Sequence, residues 1–241
     1  MKTCRMILAW LTALMFLAAC APSTPSPTPQ AVTLTVMTHD SFAVSEDVVQ
    51  AFETENNARL VFLKSGDAGA ALNRAILTKA SPEADVFYGV DNTFLSRAIE
   101  EEIFQSYTPA ALSGLPSEFT QGLAGVVVPI DYGDVCINYD LAWFATKGMQ
   151  PPSTLDDLLK PQYKGLLVVE NPATSSPGLS FLLTTISRYE DTGYQDYWRA
   201  LKENGVVVVN DWETAYYTNF SASSGKGAQP LVVSYASSPA A

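Results

Sequence analysis

The sequence predicts an α/β fold of mostly parallel sheets flanked by helices. From Val32 onward, short β-rich runs alternate with stretches of helical period, which is the pattern of a parallel sheet with crossover helices. The polar and aromatic residues cluster just after the predicted strands, at the edge where open parallel sheets bind ligands. About 210 residues follow the N-terminal segment, enough for one large domain or two lobes with proper cores.

The N-terminus starts with Lys2 and Arg5, runs through an apolar core from Met6 to Phe16 that is too short to span a membrane, and closes in small residues. That is the make-up of a secretory signal. Leu17-Ala18-Ala19-Cys20 resembles the lipobox of bacterial lipoproteins. The resemblance implies a signal peptide over 1–19 and a lipidated Cys20 that anchors the mature chain to a bacterial membrane on its extracytoplasmic side. Residues 20–31, rich in Pro, Ser and Thr, read as an extended tether.

Strands are expected at Thr33–Met37, Leu60–Lys64, Asp85–Tyr88, Val126–Ile130, Val135–Asn138, Leu166–Val169, Val206–Val209 and Leu231–Val233, each short and rich in β-branched or aromatic residues. The best helix begins at Ser176, with Pro177 at its first position and Leu179, Leu182, Leu183 and Ile186 on one face. Further helices are expected at Ser45–Thr54, Ala68–Thr78, Thr93–Glu101, Asp191–Lys202 and Asp211–Phe220, with Asp67, Ser176 and Asp211 as N-caps.

Removal of Lys2 and Arg5 leaves 12 basic against 25 acidic residues, a formal charge of −13, which argues against a nucleic-acid partner. Of three cysteines, Cys4 leaves with the signal and Cys20 carries lipid, so Cys136 has no partner and no disulfide framework exists. Within Val135-Cys136-Ile137 it reads as a small buried hydrophobe.

Motifs for catalysis are missing. There is no G-x-S-x-G elbow, and His39 is the single histidine, contiguous with Asp40 and Ser41 rather than meeting them from separated positions. No H-E-x-x-H, paired C-x-x-C or EF-hand spacing occurs, so neither a metal site nor a cofactor is expected. Gly225-Lys226-Gly227 resembles the end of a phosphate-binding loop, but the upstream glycine position is Phe220.

Six segments together are similar to the thiamine-binding proteins of bacterial ABC transporters: Leu34 to Phe42, Ala84 to Asn92, Asp131-Tyr132-Gly133, Asn171 to Leu179, Asp211 to Tyr216, and Val233 to Ala240. They occur in family order. The resemblance implies a two-lobe type II periplasmic-binding-protein fold, with a first lobe over 32–128, a crossing at 129–139, a second lobe over 140–230 and a return crossing at 231–241. It implies thiamine or a thiamine phosphate as ligand and an ABC permease as partner. Asp40, Ser41 and Asp67 would face the cleft from the first lobe; Ser175, Ser176, Trp212 and Tyr235 would come from the second lobe and the return crossing. Carboxylates and aromatic faces suit the flat, permanently charged thiazolium, and the N-terminus of the Ser176 helix suits a hydroxyl or phosphate end.

His39 stands where the family has a contact tyrosine; an imidazole can stack there, although its charge at low pH repels thiazolium. Ala241 falls where a second contact tyrosine is usual. Family members continue through helices that complete the first lobe, so the resemblance implies a partial first lobe with uncovered apolar surface. The alternatives are a ferric-ion binder, suggested by Tyr216-Tyr217, His39 and Asp85-Val86-Phe87-Tyr88, and a secreted lipoprotein hydrolase.

Overall fold

The computed structural model describes residues 30–123 and 125–240. The signal segment and Cys20 lie outside the described residues, as does Ala241. Two sheets organise the chain. The first has the order β2-β1-β3, formed by β1 (Val32–Thr38), β2 (Ala58–Lys64) and β3 (Val86–Phe87), all parallel. Its connections are α1 (Glu46–Asn56) and α2 (Ala68–Leu77), and α3 (Leu95–Glu100) follows β3. α1 ends because Asn57 takes up a left-handed conformation that few side chains tolerate.

The second sheet has the order β4-β7-β5-β6, from β4 (Val135–Tyr139), β5 (Leu167–Glu170), β6 (Val207–Val209) and β7 (Leu231–Tyr235). β5 runs parallel to both β6 and β7, and β4 closes the other edge antiparallel to β7. β5 and β7 are buried on both faces. Leu167, Val169, Leu231 and Val233 enter one core with Phe144, Phe181 and Leu201, while Val168 and Val232 enter another with Ala215, Tyr216 and Phe220. Such double burial explains why these strands read as continuous apolar runs.

α4 (Leu141–Lys147) and the long α5 (Ser176–Glu203) cover this sheet. The helices expected from Ser176 and over Asp191–Lys202 run end to end as α5, interrupted at Glu190, where φ is +60° and ψ −171°. A straight helix would separate residues 13 apart by about 20 Å. Instead Trp198 Nε1 donates to Thr185 Oγ1 at 2.9 Å, Phe181 meets Trp198 at 5.6 Å, and Tyr189 stacks on Tyr197 at 4.6 Å, so the two halves fold back on each other. This turn selects the buried stripe: Gly178, Phe181 and Thr185 point inward, whereas Leu183 is exposed rather than part of the apolar face.

Four further expectations need correction. Val126–Ile130 is not a strand: it leaves a turn at Gly125 (φ +69°), Pro129 removes a ladder donor, and Ile130 is exposed. Cys136 is exposed, because alternation along the edge strand β4 sends Val135 and Ile137 into the core and Cys136 outward. Ser176 is not the cap of α5. The carbonyl of Ser175 already accepts from Leu179 N at 3.0 Å, so Ser175 is the N-cap and Pro177 takes the second helical position. The helix expected over Asp211–Phe220 is a widened π-turn at Thr214–Asn219, closed by Phe220 N donating to Ala215 O at 2.9 Å.

The first sheet is thinly covered. None of the α1 residues is buried, Val48, Phe52 and Val61 are exposed, and a pocket of about 460 Å³ opens between α1 and β2, lined by Phe42, Val44, Val49 and Phe62 among others.

Candidate ligand site

The ligand-site residues that the sequence singles out stand at C-terminal strand ends, on the loops beyond them or, for Ser176, at the start of α5. β1 delivers His39, Asp40 and Ser41; β2 leads to Asp67; β5 leads through Asn171 to Ser175; β6 delivers Asp211 and Trp212; and β7 ends at Tyr235. The two sheets meet at these loops. Asp67 accepts from Ala68 N at 2.8 Å through Oδ1, capping α2, and from Trp212 N at 2.9 Å through Oδ2. One carboxylate thus fixes a helix of the first sheet and holds the aromatic loop of the second. Beside it, Gly69 N donates to Thr174 O at 2.9 Å. A Cβ on Gly69 would lie 2.7 Å from Phe94 and 2.9 Å from Ala173 O, so only glycine allows this approach.

Trp212 is positioned from several sides. Its Nε1 donates to Ser234 Oγ at 2.8 Å, and Ser234 shares a hydrogen bond with Ser238 at 2.9 Å. Its ring stacks on Tyr216 at 4.9 Å and 13° and meets Tyr217 edge-on at 5.3 Å. An α-helix brings only i+3 and i+4 onto one face; the widened turn brings both i+4 and i+5 against Trp212. Asp211 caps this turn by accepting from Thr214 N at 2.7 Å.

A second group forms around His39. Its Nδ1 lies 2.8 Å from Ser41 Oγ, and its ring faces Tyr88 at 5.7 Å. Tyr88 Oη donates to Asp131 Oδ2 at 2.5 Å, and Phe42 packs on Tyr88 at 4.9 Å. Burial lowers the His39 pKa although Asp67, Asp131 and Asp40 pull it upward, so the imidazole is neutral at neutral pH and does not repel a cation. Burial and Asp131 push Tyr88 up to about 12. Tyr235 is raised as well, first by burial and then by Asp91, Asp67, Glu170 and Asp131. These acidic groups share one region.

The structure joins Asp67 directly to Trp212 and brings the Ser175 loop onto α2. Asp40 is turned aside: its Oδ1 accepts from Gly66 N at 2.9 Å and its carbonyl accepts from Lys64 Nζ at 2.6 Å, which ties down the β1 and β2 ends. Ser41 faces His39 rather than Asp67. Ser175 and Ser176 are both buried, and the Ser175 hydroxyl has no hydrogen-bond partner. Sequence reasoning named Tyr88 in support of the ferric alternative and Asp131 within a segment of the family resemblance, and placed neither in the thiamine site. It missed Glu170, whose signal is a charged residue closing the apolar run from Leu166 to Val169. Among the described residues, no group of three or more His, Cys, Asp or Glu is placed to hold a metal ion.

Two α/β sheets whose loops meet at an acidic, aromatic edge define a ligand-binding protein of the two-sheet kind. Residues 81–239 match the family of bacterial extracellular solute-binding proteins, and the chain belongs to that family. The thiamine-binding periplasmic protein of Salmonella typhimurium is 34% identical over 215 residues, covering 86% of this chain and 61% of that protein. A solved periplasmic thiamin binding protein superposes with a TM-score of 0.71 at 29% identity, covering 90% of this chain and 65% of that one. Iron-bound HitA from Pseudomonas aeruginosa shares the fold at 20% identity and a TM-score of 0.67, covering 85% of this chain and 63% of that one. The fold is that of type II periplasmic binding proteins, and this chain spans about three fifths of the length of its thiamine-binding relatives.

Proposed function

We propose that this protein captures thiamine or a thiamine phosphate outside the cytoplasm and hands it to an ABC importer. The observation that carries this reading is the Asp67 carboxylate set against the stacked Trp212 and Tyr216, with Tyr235 and further acidic groups nearby. A flat ring with a fixed positive charge is the ligand such a surface suits. The buried start of α5, with the unpartnered Ser175 hydroxyl, suits the hydroxyl or phosphate end. The similarity to thiamine-binding proteins supports the same assignment. In this reading the lobes are 32–128 and 140–230, joined by 129–139 and 231–241, and closure is a hinge motion about these crossings.

The ferric alternative needs paired phenolates converging on one point. Tyr216 is 6% exposed and stacked on Trp212, whereas Tyr217 is 55% exposed with its ring at 89° to that of Tyr216. Calorimetry discriminates: heat is expected with thiamine or its phosphate, and Tyr217→Phe is expected to leave that binding within about twofold, a change of under ~0.5 kcal/mol. Ferric citrate binding that disappears in Tyr217→Phe, with no heat from either thiamine species, would transfer the assignment to iron.

The membrane anchor belongs to the same proposal. Intact mass spectrometry of the membrane fraction is expected to show an acylated N-terminus at Cys20, lost in Cys20→Ala; an unmodified N-terminus at another residue rejects the anchor.

A further inference from the structure

Among the described residues, three buried side chains at the ends of elements bordering the site have polar atoms without a hydrogen-bond partner: Thr38 at the end of β1, Ser175 at the cap of α5, and Glu170 at the end of β5, the last through both carboxyl oxygens. Glu170 is the costly one. It is 0% exposed, and its main chain is pressed against the first turn of α5, where a Cβ on Gly178 would lie 2.4 Å from Glu170 O. The titratable groups that face it come from three elements: Asp67 from the start of α2, Asp211 from the loop after β6, and Tyr235 from the end of β7. Burial chiefly, opposed by its own backbone N–H and reinforced by Asp67 and Asp211, pushes Glu170 up to about 9, so its carboxyl is neutral at neutral pH.

A buried acid whose carboxyl oxygens find no hydrogen-bond partner, with two carboxylates against it, lacks one kind of neighbour, a positive charge. We propose that Glu170 gives up its proton when a cationic ligand seats between Asp67, Trp212 and Tyr235, so that capture of the cation releases a proton to solvent. The carboxyl O–H bond breaks, the proton goes to bulk buffer, and the carboxylate remains as a countercharge beneath the ligand. A fixed charge within about 5 Å shifts such an equilibrium on the order of a hundredfold at an effective dielectric near 20. The inference rests on the proposed cationic ligand, whose charge is the trigger. Since the unliganded carboxyl has the higher pKa, affinity rises with pH between the liganded and the unliganded pKa and is level outside that interval.

The test is calorimetry of thiamine binding at pH 7.5 in buffers of different ionisation enthalpy, repeated from pH 7 to 8, a window above the lowered titration of His39. The wild type is expected to release close to one proton per thiamine, with affinity rising up to about tenfold per pH unit. Glu170→Gln is expected to bind with no proton release and a flat pH profile. Thiamine binding by the wild type without proton release, or equal release from Glu170→Gln, overturns the inference while leaving the thiamine reading intact. Absence of heat from the wild type overturns both. Should Glu170→Gln fail to fold, the wild type decides alone: the infrared carbonyl band of a protonated carboxyl must disappear as thiamine is added, and its persistence overturns the inference.

Discussion

Trp212→Ala is expected to weaken thiamine binding by about 2- to 30-fold, the range that corresponds to a cation–aromatic contribution of about 0.5–2 kcal/mol. The loss extends beyond the missing platform. Tyr216 would lose its stacking partner at 4.9 Å, and Ser234 would lose the Nε1 donor at 2.8 Å. Truncating a buried aromatic costs about 3–5 kcal/mol, and the half-buried Trp212 belongs at or below the low end of that range. Trp212→Phe keeps a ring without the indole donor, and is expected to recover much of the affinity and only part of the stability. Calorimetry and thermal unfolding of both variants separate the two roles. Wild-type affinity in Trp212→Ala would remove Trp212 from the site.

Asp67→Asn is expected to lower affinity by roughly tenfold or more while leaving α2 capped. A carboxylate about 5–8 Å from a bound cation contributes on the order of 1–3 kcal/mol at effective dielectrics of about 20–40. Asparagine is nearly as good an N-cap as aspartate, so its oxygen can keep the bond from Ala68 N. Its amide nitrogen then faces Trp212 N, where two donors meet and the tie between the sheets is lost. Asp67→Ala removes cap and tie together and costs about 1 kcal/mol more in stability. Matching affinity losses in the two variants, with the larger fall in melting temperature for alanine, is the expected pattern. Should Asp67→Asn bind as tightly as wild type, the countercharge role fails.

Local chemistry made much of this legible from sequence. Asp67 before Ala68, and Asp211 before the turn at Thr214, are residues whose side chains satisfy the first free N–H groups of the elements they precede. The strands buried on both faces announce themselves as apolar runs, as Leu167–Glu170 and Leu231–Tyr235 do. What stayed hidden depends on partners distant in sequence. Val126–Ile130 has strand composition but pairs with no strand among the described residues, and Cys136 sits in an apolar run whose alternation turns it to solvent. The fold-back at Glu190 is set by contacts such as Phe181 with Trp198, which no local propensity encodes. Within the site, the bond from Trp212 N to Asp67 joins residues 145 apart, and no spacing rule anticipates it. Glu170 stays hidden in the sequence because a charge at a strand end reads as solvated until the burial of its neighbours is known.

The widened turn at Thr214–Asn219 also sets how this protein interacts with light. It gathers the rings of Trp212, Tyr216 and Tyr217 with centres 4.9, 5.3 and 5.4 Å apart, one pair nearly parallel and two nearly perpendicular. At such spacings the strong ultraviolet transitions of the three rings are expected to couple, and a fixed chiral arrangement of them to add a dichroic signal to what each ring gives alone. The addition reports on the turn itself rather than on helix content. That added signal is expected to fall if the turn tightens to α-helical pitch, where the fifth residue rotates away from the indole.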